Sequence, residues 1–166
     1  GHLSAFDVDA ALPRTILTCP ACRQSHQGHH DFSPVQGVHT PGENMSSSTL
    51  RVVAIGSTGR GDYGHSLGET FLHFDNTEMV AVADEDDAGR AAAAERMQAQ
   101  RQYADYREML EKERPDIVTI CPKWTDRRRD MMLRAIDAGA KGIFCDKPVA
   151  QALDDADAML EACERN

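Results

Sequence analysis

Residues 51–61 read RVVAIGSTGRG, a short apolar run that ends in a glycine-rich turn. An apolar run of this length, bounded by a turn, predicts a strand that is buried in a sheet. A second run, Met79-Val-Ala-Val-Ala83, stops in the same way at Asp84. The two runs predict two buried strands, each followed by residues that can carry chemistry.

Helical segments alternate with strands along the rest of the chain. Apolar spacing and helix propensity predict helices over residues 64–74, 87–99, 105–113, from Thr125 or Asp126 to Gly139, and along Leu153, Ala156, Leu160 and Cys163. Further strands are predicted near residues 102–103, over 116–121 and over 141–145. This alternation implies right-handed crossovers and a parallel sheet that is covered on both faces. Residues 49–166 are therefore predicted to form a doubly wound α/β domain of the Rossmann type.

Sheets of this kind bind ligands outside the carboxyl ends of their strands, where the strand order reverses. The first such end carries the turn from Gly56 to Gly61. Glycines there let the chain turn tightly and bring backbone N–H groups to a pyrophosphate. Against the GxGxxG pattern, Gly56 and Gly61 fit, Thr58 stands in place of the second glycine, and Gly59 can restore some room. The same turn also occurs in domains that bind no nucleotide.

Asp84 lies at the end of the second strand, 23 residues after Gly61. A carboxylate at this spacing can accept hydrogen bonds from both adenosine-ribose hydroxyls, and it would repel a 2'-phosphate. Asp84 therefore favours NAD over NADP. The alternative is that Asp84 caps the next helix, although Glu85, Asp86 and Asp87 could do so equally well.

Asp146-Lys147-Pro148 follows the last predicted strand. Oxidation of an alcohol needs a base for the hydroxyl proton, and a partly buried lysine can serve as that base. Pro148 confines Lys147 to extended geometry, which would direct its side chain into the cleft. The alternative is an exposed turn without a role in catalysis.

Taken together, these motifs resemble the Gfo/Idh/MocA family of nicotinamide-dependent oxidoreductases. The resemblance extends from Leu50 to Asn166 and includes the turn, His65, Asp84, the Cys121–Asp126 segment and Asp146-Lys147-Pro148. It implies that Lys147 lies near the nicotinamide and assists catalysis, and that Asp146 contacts the nicotinamide side. The cofactor-binding residues expected on this basis are Gly56, Ser57, Thr58, Gly59, Arg60, Gly61, Asp84, Pro122, Trp124, Asp146 and Lys147.

The chain departs from the family pattern at several positions. Asp146 replaces the usual Glu, and Arg128 stands where a His is common. Arg127, Arg128 and Arg129 oppose the dipole of the helix that they begin, which indicates an anionic neighbour such as the cofactor, the substrate or Asp130. The alternative for Arg128 is a solvated surface position. His65 is either close to the cofactor phosphates or a packed helix residue.

The resemblance implies the NAD-binding part of an oxidoreductase that moves hydride between the cofactor and a sugar, polyol or related hydroxyl compound. Members of the family continue with a second domain that supplies most of the substrate pocket and through which copies associate, and this domain is expected to be missing here. One alternative is an NAD-binding sensor without turnover. Another is an S-adenosylmethionine-dependent methyltransferase, which would leave Asp146-Lys147-Pro148 unexplained.

Composition excludes several other classes of protein. The chain has 166 residues, and its 27 acidic and 18 basic side chains give a net charge of -9, which disfavours nucleic acid as a partner. No run approaches the roughly 18 apolar residues of a membrane span, and no secretory signal is present, so a cytoplasmic location is predicted. The five cysteines do not have the spacing of a disulfide framework and are expected to be reduced.

Residues 1–48 differ in composition from the rest of the chain. They contain five of the seven His and four of the seven Pro but no Lys, which predicts a disordered or loosely attached extension, with Met45 as a candidate natural start. Cys19, Cys22, His26 and His29 are residue types that bind zinc. Their spacing matches no common zinc finger, so the sequence favours an unstructured His-rich tail and no metal site is predicted.

Overall fold

A six-stranded sheet with helices on both faces forms the fold, as seen in a computed structural model that describes residues 48–64 and 66–166 and the backbone of residues 16–18. The strands are β1 (Ile16–Thr18), β2 (Leu50–Ile55), β3 (Thr77–Ala83), β4 (Arg101–Tyr103), β5 (Ile117–Ile120) and β6 (Gly142–Cys145). The helices are a 3-10 helix (Glu69–His73), α1 (Asp87–Met97), α2 (Tyr106–Glu113), α3 (Arg128–Asp137) and α4 (Leu153–Arg165). The predicted doubly wound α/β class is confirmed.

Strand order places the switch point beside the glycine turn. The order is β1-β6-β5-β2-β3-β4, and β2 to β6 all pair in parallel. From β2 the chain builds outward through β3 and β4, and it then returns to the other side of β2 to add β5 and β6. The carboxyl ends of β2 and β5 therefore flank the reversal, where this fold binds ligands.

Apolar side chains fill both faces of the sheet. β2 and β3 lie at its centre, and each contributes residues to the two opposite cores. Ala93 and Met97 of α1 pack on one face, while Met109 of α2 and Met132 of α3 pack on the other. Burial from both sides explains why these strands read as continuous apolar runs.

The helix predicted over residues 64–74 is wrong except for one short turn. Asp62, Gly64 and Ser66 all have positive φ angles, of 52°, 60° and 57°. An α-helix needs right-handed backbone geometry at every position, so it cannot form through these residues. The chain instead makes successive turns and then the 3-10 helix.

The structure corrects two further details of the helices. Neither Thr125 nor Asp126 caps α3, because the N-cap is Arg127, which makes no side-chain capping bond. The predicted apolar face of α4 is also shifted, since Met159 and Ala162 are buried whereas Leu153 and Leu160 are exposed. The end of α3 is as predicted: Gly139 follows the last turn, and its N–H donates to the carbonyl of Ile136 at 2.9 Å.

One strand was not predicted. β1 pairs antiparallel with β6, so that Ile16 lies opposite Phe144, and three residues are too few for a periodic pattern. Met45 lies outside the described residues, and so do Cys19, Cys22, His26 and His29, at which no metal site is predicted. Within the described part of the chain, no helix has the length and apolar character needed to cross a bilayer.

Candidate functional site

The turn after β2 is a tight loop closed on itself by hydrogen bonds. Ser57 and Asp62 exchange two backbone hydrogen bonds, at 3.1 and 3.0 Å. Gly61 has a φ of 94°, and a Cβ there would lie 2.6 Å from the backbone nitrogen of Lys123. Glycine is therefore required at position 61 both for the turn and for its contact with the segment after β5.

Tyr63 packs against this turn. The sequence does not predict this role. A Cβ on Gly56 would come within 2.2 Å of the Tyr63 ring, so only glycine lets the ring pack there. The Tyr63 hydroxyl donates to the carbonyl of Ala83 at 3.3 Å, and burial raises the pKa of this hydroxyl above its ordinary value. Tyr63 is thus a neutral, buried support, and no local sequence pattern distinguishes it.

Asp84 binds the turn directly. Its side chain is 3% exposed, and its carboxylate accepts hydrogen bonds from the Thr58 hydroxyl at 2.8 Å and from the Thr58 backbone nitrogen at 3.0 Å. The alternative that Asp84 caps the next helix is wrong, because the N-cap of α1 is Asp86, which accepts from the backbone nitrogen of Gly89. Thr58, in place of the second glycine, therefore connects the turn to the end of β3.

The turn presents its N–H groups to anionic oxygen atoms. Besides the bond from Thr58 to Asp84, the Gly59 N–H donates to the carboxylate of the exposed residue Asp62 at 2.8 Å. A Cβ at Gly59 would meet no atom within 4 Å, so the space beside it is open. Backbone N–H groups of glycine turns can bind phosphate groups, and here the Gly59 N–H lies beside open space with Asp62 as its acceptor.

A narrow cleft lies beside the turn, with a cavity volume of about 10 Å³, enough for about one water molecule. Its walls include Ser57, Asp84, Glu85, Tyr106 and Arg127. The guanidinium of Arg127 and the carboxylate of Glu85 form an ion pair at 2.5 Å, and both side chains are largely exposed. This volume is far below the roughly 300–1,000 Å³ of most ligand pockets, so a ligand group would have to widen the cleft to enter it.

Arg60 joins the glycine turn to the segment after β5. Its guanidinium lies 5.5 Å from the centre of the Trp124 ring and donates to the carboxylate of Asp126 at 2.8 Å. Trp124 remains 62% exposed. This placement leaves the indole accessible at the mouth of the site.

Asp146, Lys147 and Pro148 follow β6 at the same edge of the sheet. The Asp146 carboxylate accepts from the backbone nitrogen of Lys147 at 2.8 Å, and its other oxygen is buried without a hydrogen-bond partner in the described residues. Lys147 precedes a cis peptide bond to Pro148, and its side chain is exposed. The partial burial expected for Lys147 is therefore wrong.

Arg128 is neither solvated nor paired with the anions suggested by the sequence. It is 1% exposed, and its guanidinium donates to the carbonyls of Pro122 at 2.5 Å, Pro148 at 2.9 Å and Asp146. The carboxylate of Asp130, offered as a partner, instead binds Tyr106 and Arg107. The expectations of a solvated position for Arg128 and of Asp130 as its partner are thus wrong.

Contacts hold the predicted site residues together at one edge of the sheet. The turn reaches Asp84 through Thr58 and the segment after β5 through Arg60 and Gly61, while Arg128 links that segment to Asp146 and Pro148. His65 lies outside the described residues. A larger groove between α2 and α3, lined by Arg107, Arg114 and Arg134, includes none of the predicted site residues, so we place the site at the strand ends.

Comparisons with known proteins agree with this geometry. A family model described as "Oxidoreductase family, NAD-binding Rossmann fold" (GFO_IDH_MocA) matches residues 50–166. A D-apiose dehydrogenase from Paraburkholderia graminis is 35% identical over 74% of the chain, and an alpha-N-acetylgalactosaminidase from Shewanella oneidensis is 28% identical over 70% of it. A solved myo-inositol 2-dehydrogenase from Lactobacillus plantarum is 25% identical over 68% of the chain, with a TM-score of 0.57.

The matched proteins are much longer than this chain. The chain spans 32% of the D-apiose dehydrogenase, 27% of the galactosaminidase and 32% of the solved inositol dehydrogenase chain. The similarity therefore concerns the Rossmann part of each relative.

Proposed function

Because the chain belongs to the oxidoreductase family with the NAD-binding Rossmann fold, we propose that it binds NAD at the carboxyl edge of its sheet. In this proposal it forms the cofactor part of an enzyme that oxidises a hydroxyl group of a sugar, polyol or related compound. The relatives named as D-apiose and myo-inositol dehydrogenases support this substrate class.

The observation that carries the proposal is the single edge shared by the glycine turn, Asp84 and Lys147. The turn offers the Gly59 N–H and open space to a pyrophosphate, and the adenosine ribose would enter the narrow cleft beside Asp84 by widening it. Because Asp62 is exposed, its carboxylate can leave the Gly59 N–H when a phosphate oxygen arrives. The residues present therefore fit a dinucleotide.

Asp84 is the basis for proposing NAD rather than NADP. Its carboxylate is buried at the wall of the cleft, where a 2'-phosphate would meet a like charge at close range. Ribose hydroxyls would replace the Thr58 hydroxyl on this carboxylate. The cofactor preference thus rests on one side chain.

Bound NAD would supply the acceptor for the hydride at the nicotinamide ring. In this proposal the amine of Lys147, which is exposed after β6, takes the proton of the substrate hydroxyl. In this proposal Asp146, one of whose carboxylate oxygens is buried without a partner among the described residues, contacts the nicotinamide side. Pro122 and Trp124, in the segment after β5, are proposed to contact the cofactor as well.

Two alternatives share this cofactor site. An NAD-binding sensor would bind the nucleotide without turnover, and assays with sugars and polyols would separate it from a dehydrogenase. The galactosaminidase among the relatives suggests glycoside hydrolysis as the other alternative, a reaction that would form product without a net yield of NADH. A methyltransferase is not retained, because the matching family is one of NAD-binding oxidoreductases. Association of copies and a cytoplasmic location remain predictions.

Calorimetric titration with NADH and NADPH tests the proposal through Asp84→Asn. Loss of hydrogen bonds to a charged group, worth about 1.5–3 kcal/mol, should weaken NADH binding by roughly tenfold or more. NADPH should lose less affinity, because the like charge that opposes its 2'-phosphate is also removed. Equal losses for both nucleotides would contradict a ribose contact, and absence of NADH binding to the folded wild type would overturn the proposal.

Thr58→Ala is the matched control, because Asp84→Asn also disturbs the turn. This variant removes the hydroxyl that binds Asp84 but keeps the carboxylate. If Asp84 binds ribose, Thr58→Ala should retain or strengthen NADH binding. A loss that matches Asp84→Asn would show that Asp84 acts only by supporting the turn.

A further inference from the structure

Arg128 is a buried charge with an unusual set of partners. Its guanidinium donates to three backbone carbonyls and also interacts with the thiol of Cys145, and no carboxylate forms an ion pair with it among the described residues. Its Nε is also buried without a partner there. Burial of a charge is unfavourable unless hydrogen bonds compensate it, so these three carbonyls must be held closely in place.

The carbonyls come from two separate segments of the edge. Pro122 belongs to the segment after β5, which contacts the glycine turn through Lys123 and Gly61. Asp146 and Pro148 lie immediately before and after Lys147, and one nitrogen of Arg128, Nη1, donates to both. The backbone of Lys147 is thus fixed on both sides relative to the segment that meets the turn.

We propose that Arg128 is a positioning residue that holds Lys147 beside the nicotinamide end of the cofactor site. The inference rests on the proposed function, because that function gives Lys147 its role. Arg128 itself is buried and contacts neither cofactor nor substrate. It acts by setting where the backbone at Lys147 lies relative to the glycine turn.

Arginine suits this task for a geometric reason. The guanidinium is planar and carries several N–H donors in a rigid fork, so it can bind carbonyls on two segments at once. A lysine would keep the charge but would offer its donors from a single point. Arg128→Lys therefore separates the effect of the fork from that of the charge.

Lysine signals provide a direct readout of this positioning. The chain has only four lysines, Lys112, Lys123, Lys141 and Lys147, so a protein labelled with 13C-lysine gives few side-chain NMR signals, and Lys147→Arg identifies the relevant one. In the wild type, NADH should shift the Lys147 signal but leave those of Lys112 and Lys141 unchanged. Failure of NADH to shift Lys147 in the wild type would count against the proposed function rather than against Arg128.

The variants Arg128→Gln and Arg128→Lys then test the positioning role, with Arg129→Gln as the matched control. Arg129 is the next residue, is exposed and pairs with Asp155 at 3.6 Å. Both Arg128 variants should still bind NADH, but the Lys147 response should fall by more than half, while Arg129→Gln should match the wild type. A full Lys147 response in folded Arg128→Gln would overturn the inference. If that variant does not fold, Arg128→Lys decides, and failure of both to fold would reduce Arg128 to a folding requirement and overturn it equally.

Discussion

At the scale of single residues, Gly56 shows how closely the turn is packed. The Tyr63 ring occupies the space where any other residue would place its Cβ. The sequence analysis assigned Gly56 to cofactor binding from its place in the GxGxxG pattern. The structure adds a packing role that the pattern does not contain.

Gly56→Ala should destabilise the protein. A Cβ within 2.2 Å of a buried ring forces the ring or the turn to move, and overpacking of this kind costs about 1–3 kcal/mol. Chemical denaturation measures the change in the free energy of unfolding. Gly142→Ala is the control: a Cβ there meets nothing within 4 Å, so its effect should lie between neutral and a stabilisation of about 1 kcal/mol. Equal destabilisation by both variants would contradict the role of Tyr63.

Residues of the site differ in how far the sequence could predict them. Asp84 and the turn follow from spacing and from the chemistry of strand ends. The bond from Thr58 to Asp84, the exposure of Lys147 and the burial of Arg128 depend on contacts between segments distant in sequence, which no local pattern contains. Helical position alone predicted an anion or solvent beside Arg128, whereas three carbonyls surround it.

At the scale of elements, Glu113 joins three of them. Its buried carboxylate at the end of α2 accepts from Arg101 of β4 at 2.5 Å and from Arg51 of β2 at 2.8 Å, and it also accepts from Tyr103. These hydrogen bonds, first of all that from Arg101, hold the pKa of Glu113 below its ordinary value. The network fixes the start of β2 and β4 against the end of α2.

Glu113→Gln should change how stability depends on pH. Because the pKa of Glu113 is lower in the folded than in the unfolded chain, its contribution is complete above about pH 4.3 and is lost as the pH falls toward the folded-state value. At pH 7 the variant should lose about 1–3 kcal/mol of stability, and it should lose less than the wild type on acidification. Urea denaturation across the acid range measures both effects. Glu111→Gln, at an exposed position, is the control. If Glu113→Gln lost as much stability on acidification as the wild type does, this account would be contradicted.

Sequence patterns predict the strands more accurately than they predict the helices and their caps. Buried strands of a parallel sheet are apolar throughout, so β2, β3, β5 and β6 were found within one or two residues. The segment after the glycine turn has helical spacing at Leu67, Phe71 and Phe74, but backbone turns at positive φ prevent the helix. The prediction that Asp126 caps α3 is wrong, because its carboxylate accepts a hydrogen bond from Arg60 instead.

At the scale of the whole molecule, strand order accounts for the location of the site. The reversal between β2 and β5 brings residues 56–61, 84, 121–128 and 146–148 to one edge, although they are spread over about half of the chain. Alternation of strands and helices was sufficient to predict that edge. The edge strand β1 was beyond prediction, because its pairing with β6 joins residues more than a hundred positions apart.

The central claim is that NAD binds across this edge, and energy transfer from Trp124 to NADH tests it most directly. Trp124 is the only tryptophan of the chain and is exposed at the mouth of the site, so its emission reports on this place alone. The account predicts saturable quenching of tryptophan emission by NADH together with sensitised NADH emission, both weakened in Asp84→Asn. Folded wild-type protein whose Trp124 emission does not respond to saturating NADH would contradict it.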